Sequence, residues 1–277
     1  MSWKTLKRSI TSSPPNNFFM RAPNDQHFLV DDNAVERIAD AVPVFDRDVL
    51  EIGPGGGVLT AALLERGAHV RAVELDTGLL PNLERRFSDE LASGDLTITV
   101  GDASKVELPK FDLVVANLPY SISSKITFRL LEVGFEKAVL MYQLEFAKRL
   151  AAAPGNGDYG RLSVMTQAMA DVEFLLELPP ESFNPPPEVW SAVVVLTPRA
   201  PPVPINNQKM FSDVVREVFS HRRKTLSNCL KGLSSIYGKE KTAAFIASCE
   251  PELLKKRPEV LSVAEFIELS NSFAALL

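Results

Sequence analysis

Short apolar runs rich in β-branched residues alternate, from about residue 33 to 198, with segments whose apolar residues recur three and four positions apart. The first periodicity is typical of buried strands and the second of amphipathic helices. The predicted strands are Val49 to Ile52, His69 to Leu75, Leu96 to Val100, Asp112 to Ala116, Lys137 to Tyr142, Val172 to Leu178 and Ala192 to Leu196; the predicted helices between them include Asn33 to Ala41, Leu59 to Arg66 and Ser123 to Leu131. This order predicts an α/β fold with a mostly parallel, doubly wound sheet.

A Pro-rich link, Pro179 to Pro187, is all that separates the last two predicted strands. A parallel pair needs a crossover of a dozen or more residues, usually helical. We therefore expect the final strand to run antiparallel to its predecessor.

Prolines at 198, 201, 202 and 204 mark a boundary beyond which no β-rich run appears. The C-terminal pattern is helical, with predicted helices at Met210 to Phe219, Lys224 to Leu233 and Val263 to Leu269, and predicted turns at Gly238 and around Pro251 and Pro258. The sequence thus predicts an N-terminal arm over residues 1–23, an α/β domain over 24–200 and a small α-helical domain over 201–277.

Charge is divided unevenly along a chain whose net charge is −5. Residues 199–277 carry 12 Lys and Arg against 8 Asp and Glu, whereas residues 1–198 carry 18 against 27. A basic appendage on an acidic body favours an anionic partner for the C-terminal part. The only cysteines, Cys229 and Cys249, lack zinc-site spacing, and no run has signal-peptide or membrane-spanning length, so we expect a cytoplasmic protein without structural metal or membrane attachment.

A glycine-rich turn, Glu51-Ile52-Gly53-Pro54-Gly55-Gly56-Gly57, follows the first strand and opens a helix. Glycines let backbone approach a ligand closely, although a lone motif of this kind is also found in ordinary turns. Val58 stands where a dinucleotide fingerprint has its third glycine, which weakens a nicotinamide cofactor. An acidic residue two positions before G-x-G-x-G is the pattern of S-adenosylmethionine-dependent methyltransferases, and Glu51, Gly53, Gly55 and Gly57 fit it.

Two acidic residues at later strand ends are candidate cofactor ligands. Glu74 ends the second strand at the distance where an acidic residue meets ribose hydroxyls in such folds. Asp76 points to the other face by strand alternation and is a candidate helix cap. Asp102, after the third strand, falls where a carboxylate can accept from the adenine amine, although alone it would be a routine strand-end aspartate.

Asn117-Leu118-Pro119-Tyr120 closes the fourth strand, at the sheet edge where α/β folds bind ligands. The amide oxygen of Asn117 and the carbonyl of Leu118 could accept both hydrogens of an exocyclic amine, and Tyr120 offers a stacking face for a flipped base. The plain alternative is a strand that ends in an Asn-Pro turn with a packing tyrosine. The succession of all four motifs in one chain favours catalysis.

With these motifs in place, the chain resembles the KsgA/Dim1 family of ribosomal RNA adenine dimethyltransferases from about Gln26 to Leu233. The stretches that carry the resemblance are Gln26 to Asp31, Glu51 to Thr60, Asn117 to Tyr120, Gln143 to Ala147, Tyr159 to Ser163, Phe183 to Val189 and Arg222 to Leu226. The resemblance implies a Rossmann-like, seven-stranded methyltransferase domain followed by a small helical domain. It also implies that S-adenosylmethionine is the cofactor, that two adjacent adenosines near the 3′ end of small-subunit rRNA are dimethylated at N6, and that no metal is needed.

The same resemblance implies roles for further residues. Gln26, His27 and Leu29 would line the methionine end of the cofactor, and Phe183 would face Tyr120 across the target adenine. One departure is Asp25, which replaces the family's usual glycine.

A basic segment, Ser220-His221-Arg222-Arg223-Lys224, leads into the helix that begins near Thr225, at the start of the predicted helical domain. We expect Arg222, Arg223 and Lys224 to contact phosphates of rRNA within a pre-ribosomal particle, with the enzyme acting as a monomer. A charge run is otherwise an ordinary solvated face.

Three alternatives stay open at this point. The first is a large-subunit rRNA adenine methyltransferase of the antibiotic-resistance type, disfavoured by the 222–226 motif and the Phe183 turn. The second is an N6-adenine DNA methyltransferase, in which Leu118 would more often be proline. The third is a non-catalytic ribosome-assembly or transcription factor on the same fold.

Overall fold

The structure is a computed structural model that describes residues 26–276, so the predicted N-terminal arm (1–23) and Asp25 lie outside the described residues. Its strands are β1 (Phe28–Leu29), β2 (Asp48–Ile52), β3 (His69–Glu74), β4 (Leu96–Val100), β5 (Leu113–Asn117), β6 (Lys137–Gln143), β7 (Ala170–Leu178), β8 (Phe183–Asn184) and β9 (Ser191–Pro198). All seven predicted strands are confirmed, and the pair β1 and β8 is additional.

The helices follow the strands in alternation and then continue alone to the C-terminus. They are α1 (Asp32–Ala39), α2 (Val58–Glu65), α3 (Leu80–Arg86), α4 (Ser88–Ser93), α5 (Ser123–Val133), α6 (Leu144–Ala151), α7 (Arg161–Gln167), α8 (Gln208–Ser220), α9 (Leu226–Leu230), α10 (Ser234–Tyr237), α11 (Lys239–Ser248), α12 (Pro251–Lys255) and α13 (Val263–Ala274). Side-chain caps fix several boundaries: Asn207 accepts from the Met210 amide before α8, and Ser262 forms a capping box with Glu265 before α13.

The main sheet has the strand order β4-β3-β2-β5-β6-β9-β7. β2 pairs in parallel with β3 on one side and β5 on the other. This reversal of strand order makes a topological switch point between β2 and β5, and ligands of open α/β sheets bind beyond the carboxyl ends of the strands there. The glycine turn follows β2 and the Asn117 corner follows β5, so the topology brings the two motifs together.

The central strands form because their residues can be buried on both faces. Val49 to Ile52 and Leu113 to Ala116 are buried without interruption, as expected of strands covered on both sides. β7 and β9 confirm the predicted antiparallel pair, since the Arg199 amide at the end of β9 donates to the Met169 carbonyl just before β7 begins, at 2.9 Å.

One prediction for the C-terminal helices is corrected. The helix expected over Lys224 to Leu233 spans only Leu226–Leu230 and continues as a 3-10 turn, Lys231–Leu233. The turn predicted around Pro251 is present as a bend at Cys249 between α11 and α12. Pro251 itself opens α12, since proline suits the first helical position, where no amide partner is needed. Pro258 begins a single 3-10 turn, Pro258–Val260.

The described chain divides into two compact units: residues 26–126, 135–143 and 175–193 form the first, and residues 127–134, 144–174 and 194–276 the second. The first holds the glycine turn and the Asn117 corner. The second has its own core, in which Phe211 of α8, Phe266 of α13 and Tyr159 are fully buried. The predicted domain boundary at residue 200 stays a prediction.

Candidate active site

The glycine turn after β2 depends on backbone conformations that side chains other than glycine rarely adopt. Gly53, Gly55 and Gly57 have φ angles of 70°, 57° and 74°. A Cβ atom on Gly55 would stand 2.9 Å from the ring of Phe28, and one on Gly57 would stand 2.5 Å from the ring of Phe87. Backbone conformation therefore favours glycine at all three positions, and lack of space also restricts Gly55 and Gly57.

Glu74 braces this turn from the end of the neighbouring strand. Its buried carboxylate accepts from the Gly55 amide at 3.2 Å and from the Asp76 amide at 2.8 Å. Asp76 in turn accepts from the Gly78 amide at 2.9 Å and from Nε2 of Gln26 at 3.3 Å. Asp76 thus closes the turn after β3 and ties it to the chain before β1, a role other than the predicted helix cap.

The segment before and within β1 is held against the Asn117 corner. Nδ2 of Asn117 donates to the His27 carbonyl at 3.1 Å. His27 itself donates from Nδ1 to the Pro185 carbonyl at 2.8 Å, and its ring is stacked on Tyr120 with 5.7 Å between the ring centroids. Since the amide nitrogen of Asn117 is used in this way, its oxygen is the atom left to accept from a ligand.

The Asn117 corner lies directly beside the glycine turn. A Cβ on Gly53 would lie 3.9 Å from Cδ and Cγ of Pro119, which is van der Waals contact. The Tyr120 hydroxyl shares a hydrogen bond of 2.6 Å with Oγ of the buried Ser191. The tyrosine ring is therefore held at its hydroxyl end by the first residue of β9.

These elements surround one cleft that is open to solvent. Its lining comprises Gln26, His27, Phe28, Leu29, Glu51, Gly53, Pro54, Gly55, Gly56, Val58, Leu59, Glu74, Leu79, Asn117, Leu118, Pro119 and Tyr120. Nine predicted site residues meet here: Gln26, His27, Leu29, Gly53, Gly55, Glu74, Asn117, Leu118 and Tyr120. Sequence reasoning missed Phe28 and Leu79, whose apolar side chains carry no signal of their own.

Asp102 is absent from the lining of this cleft. Its carboxylate accepts from the amide and hydroxyl of Ser104, at 2.9 and 2.7 Å, and pairs with Lys105 at 2.9 Å. The Ser104 bonds and then the Lys105 contact lower the pKa of the Asp102 carboxyl below its ordinary value. The structure shows that the Asp102 carboxylate is held by these contacts within its own loop. A contact between Asp102 and the cofactor stays a prediction.

Phe183 also lies outside the lining, although its backbone is adjacent to it. The residue pairs with Leu29 in the β1–β8 ladder and is 3% exposed. In this conformation the side chain of Phe183 is a buried core residue. Its predicted place opposite Tyr120 across a base stays a prediction.

Glu51 is the most strongly perturbed carboxyl group of the cleft. It is buried and accepts from the Thr60 hydroxyl at 2.6 Å. Burial, aided by repulsion from Glu74 and opposed by the Thr60 bond, raises the pKa of Glu51 to about 8. The group is thus a proton-bearing, uncharged acid over much of the neutral range, beneath the glycine turn.

The basic segment lies in the second unit, and its three predicted RNA ligands differ in their surroundings. The Arg222 guanidinium is partly buried, donates to the Gly157 carbonyl at 2.9 Å and pairs with Glu259 at 3.4 Å. Arg223 and Lys224 are exposed. Arg222 therefore has a structural contact, and the exposed pair carries the charge that an RNA could reach.

Among residues 26–276, no three His, Cys, Asp or Glu side chains are grouped so that they could hold a metal ion. None of the helices in that same part of the chain combines the length and the apolar character needed to cross a membrane.

Among known protein families, the model described as ribosomal RNA adenine dimethylase matches residues 18–274 of this chain. A protein of Methanospirillum hungatei, described as a probable ribosomal RNA small subunit methyltransferase A, is 53% identical over 92% of this chain and 100% of its own length. A protein of Halobacterium salinarum with the same description is 46% identical over 89% of this chain and 88% of its own length.

Two solved structures are similar over nearly the whole chain. A dimethyladenosine transferase from Plasmodium falciparum has a TM-score of 0.75 and 29% identity, covering 90% of this chain and 98% of the other. The 23S rRNA methyltransferase ErmE has a TM-score of 0.63 and 28% identity, covering 89% and 99%. Both likenesses confirm the predicted methyltransferase fold with a helical C-terminal part.

Proposed function

Because this chain belongs to the ribosomal RNA adenine dimethylase family, we propose that it dimethylates N6 of two adjacent adenosines near the 3′ end of small-subunit rRNA. The fold and the family imply S-adenosylmethionine as the methyl donor. The observation that carries the proposal is the contact between the two motifs: Pro119 of the Asn117 corner lies within 3.9 Å of the Cβ position of Gly53 in the glycine turn.

The cleft has the groups that this donor requires. Positive-φ glycines allow close backbone approach, Phe28 and Leu79 supply apolar walls, and the Glu74 carboxylate stands where ribose hydroxyls could reach it. When bound, S-adenosylmethionine supplies a methyl group already activated by its sulfonium. The protein's remaining task is to align the acceptor nitrogen, and alignment of this kind contributes several kcal/mol to rate enhancement.

At the target side, Oδ1 of Asn117 and the Leu118 carbonyl would accept the two hydrogens of the adenine amine. The donation from Asn117 Nδ2 to His27 fixes which end of the amide faces the ligand. These bonds would draw the amine out of conjugation with the ring and disperse the positive charge that develops on nitrogen, which stabilises the transition state. Tyr120 would stack on the extruded base, and no strong general base is needed.

Relatives favour the small-subunit substrate over the large-subunit one. Curated relatives at 53% and 46% identity are described as small-subunit methyltransferases, and the dimethyladenosine transferase has a higher TM-score than ErmE. We propose further that the protein acts as a monomer on a pre-ribosomal particle, whose folded shape and not its base sequence directs recognition.

The test is incubation of the protein with methyl-labelled S-adenosylmethionine and, separately, immature small subunits, large subunits or duplex DNA. We expect label in small-subunit rRNA alone, recovered as N6,N6-dimethyladenosine after nuclease digestion. Label in large-subunit rRNA or DNA would assign the chain to one of those enzyme classes. Label in none of the three, from protein that binds the donor, would favour a non-catalytic assembly factor.

The basic segment yields a separate prediction for RNA binding. Replacing Arg223 and Lys224 together with alanine should weaken particle binding about tenfold and lower the slope of log K against log salt by about 1.5, since each phosphate that a basic side chain neutralises contributes about 0.7–0.9 to that slope. Filter binding at several salt concentrations measures both quantities.

Two further variants serve as controls for this prediction. Lys239→Ala with Lys241→Ala removes the same charge from exposed positions of α11 and should leave the slope unchanged. Arg222→Ala should chiefly lower the melting temperature, since it removes the hydrogen bond to Gly157 and the ion pair with Glu259. Equal slopes for all variants and the wild type would place the RNA-binding surface elsewhere.

A further inference from the structure

Asn184, the last residue of β8, and the six residues that join β8 to β9 adjoin two residues that line the cleft. We call residues 184–190 the rim segment. At its beginning the Pro185 carbonyl accepts from Nδ1 of His27, and immediately after its end Ser191 shares a hydrogen bond with the Tyr120 hydroxyl. Since His27 and Tyr120 both line the cleft, the rim segment is fastened at both ends to the place where the acceptor base would enter.

The rim segment exposes a large aromatic side chain, Trp190. Its exposed fraction is 48%, and the preceding Val189 is 40% exposed. Tryptophan has a large apolar ring surface and is enriched at binding interfaces, where one side of the ring is apolar and its N–H can find a partner.

The charge of the rim segment indicates which chemical group of an RNA it could bind. Its sequence, Asn-Pro-Pro-Pro-Glu-Val-Trp, contains no basic residue and one acidic residue, Glu188. Such a segment is unsuited to phosphate, which proteins bind with Lys, Arg and amide groups. The face of an unpaired base is uncharged and stacks well on an indole.

We propose that Trp190 is a stacking platform for the unpaired adenine next to the one held at Asn117. This inference rests on the proposed function, in which two adjacent adenosines are modified in turn. Extruding one base deprives its neighbour of a stacking partner. Trp190 immediately precedes Ser191, whose hydroxyl shares a hydrogen bond with Tyr120, and its exposed indole would supply a replacement surface for that neighbour.

The first test is kinetic and uses the full-length protein. Trp190→Ala should raise KM for immature small subunits about fivefold to a hundredfold, the range expected when one base–aromatic stack is removed, with kcat and the dissociation constant of S-adenosylmethionine little changed. Trp190→Phe should restore most of the affinity. Phe45→Ala removes another exposed aromatic, 78% exposed and outside the cleft lining, and should leave KM unchanged.

The second test needs neither catalysis nor a Trp190 substitution. Trp3 and Trp190 are the only tryptophans, so Trp3→Phe leaves Trp190 as the sole indole fluorophore. We expect saturable quenching by single-stranded oligoadenylate and none by an abasic strand of equal length. The abasic strand has the same phosphates, so it separates stacking from charge.

The outcomes distinguish this inference from the function on which it rests. Unchanged KM for Trp190→Ala, or equal quenching by both strands, would overturn the stacking role while methylation by the wild type upholds the function. Quenching by oligoadenylate alone in a protein that methylates no rRNA would overturn the function only. Fluorescence that changes with protein concentration, together with a dimer that Trp190→Ala dissociates, would instead make the rim segment a self-association surface.

Discussion

Replacing Asn117 with alanine is expected to lower the rate of methyl transfer about a hundredfold to a thousandfold, the usual cost of removing one hydrogen-bonding group that acts in the transition state. Affinity for S-adenosylmethionine should stay almost unchanged, because the proposed contact of Oδ1 is with the acceptor amine. Single-turnover methylation of small subunits measures the rate, and calorimetric titration with the donor measures the affinity.

The structure supplies the controls for this substitution. Asn82→Ala changes the same side chain at an exposed position of α3 and should leave both quantities unaltered. Asn117→Asp keeps the shape and an acceptor oxygen but cannot donate to the His27 carbonyl. If donor affinity falls as steeply as the rate in Asn117→Ala, the residue acts by holding the His27 segment, and its assigned contact with the amine is wrong.

The strands of the main sheet could be predicted from the sequence. A strand that is buried on both faces consists of consecutive apolar residues, such as Leu113 to Ala116, and such a run can be recognised locally. The β1–β8 pair has no recognisable sequence pattern of this kind. Each partner contributes two residues, too few for any periodicity, and the partners are joined only in the fold through Leu29 and Phe183. This small ladder nevertheless positions His27 and the rim segment. The placement of these two parts of the site could not be predicted, because strands of two residues show no periodicity.

On the cofactor side of the site, too, some features could be predicted from the sequence and others could not. The position of Glu74 at the cleft could be predicted from its place at a strand end. Its hydrogen bond to Gly55 and the bond from Gln26 to Asp76 join residues 19 and 50 positions apart, which no local pattern encodes. Asp102 shows the opposite case. Chain order favoured a ligand contact, yet Ser104 and Lys105 lie within three residues and satisfy its carboxylate locally, a competition typical of aspartate in turns.

The buried Glu51 leads to a prediction about stability that is independent of catalysis. Its folded-state pKa is about 8 against 4.5 for the ordinary group. Below pH 4.5 both states hold the proton, and the stability associated with the uncharged acid is fully present. Between these values the unfolded chain ionises while the folded protein keeps its proton, so the free energy of unfolding should fall by about 1.4 kcal/mol per pH unit and level off above pH 8.

Glu51→Gln removes this titration while keeping an acceptor for the Thr60 hydroxyl. Relative to the wild type, the variant should gain on the order of 3 to 4 kcal/mol between pH 5 and pH 8, measured by urea unfolding without the cofactor. Glu65→Gln, at an exposed position of α2, should keep the wild-type dependence on pH. Parallel plots of unfolding free energy against pH for Glu51→Gln and the wild type would mean that Glu51 is ionised in the folded protein. The glycine turn would then lie beside two charged carboxylates, Glu51 and Glu74, and not beside a neutral acid and one carboxylate.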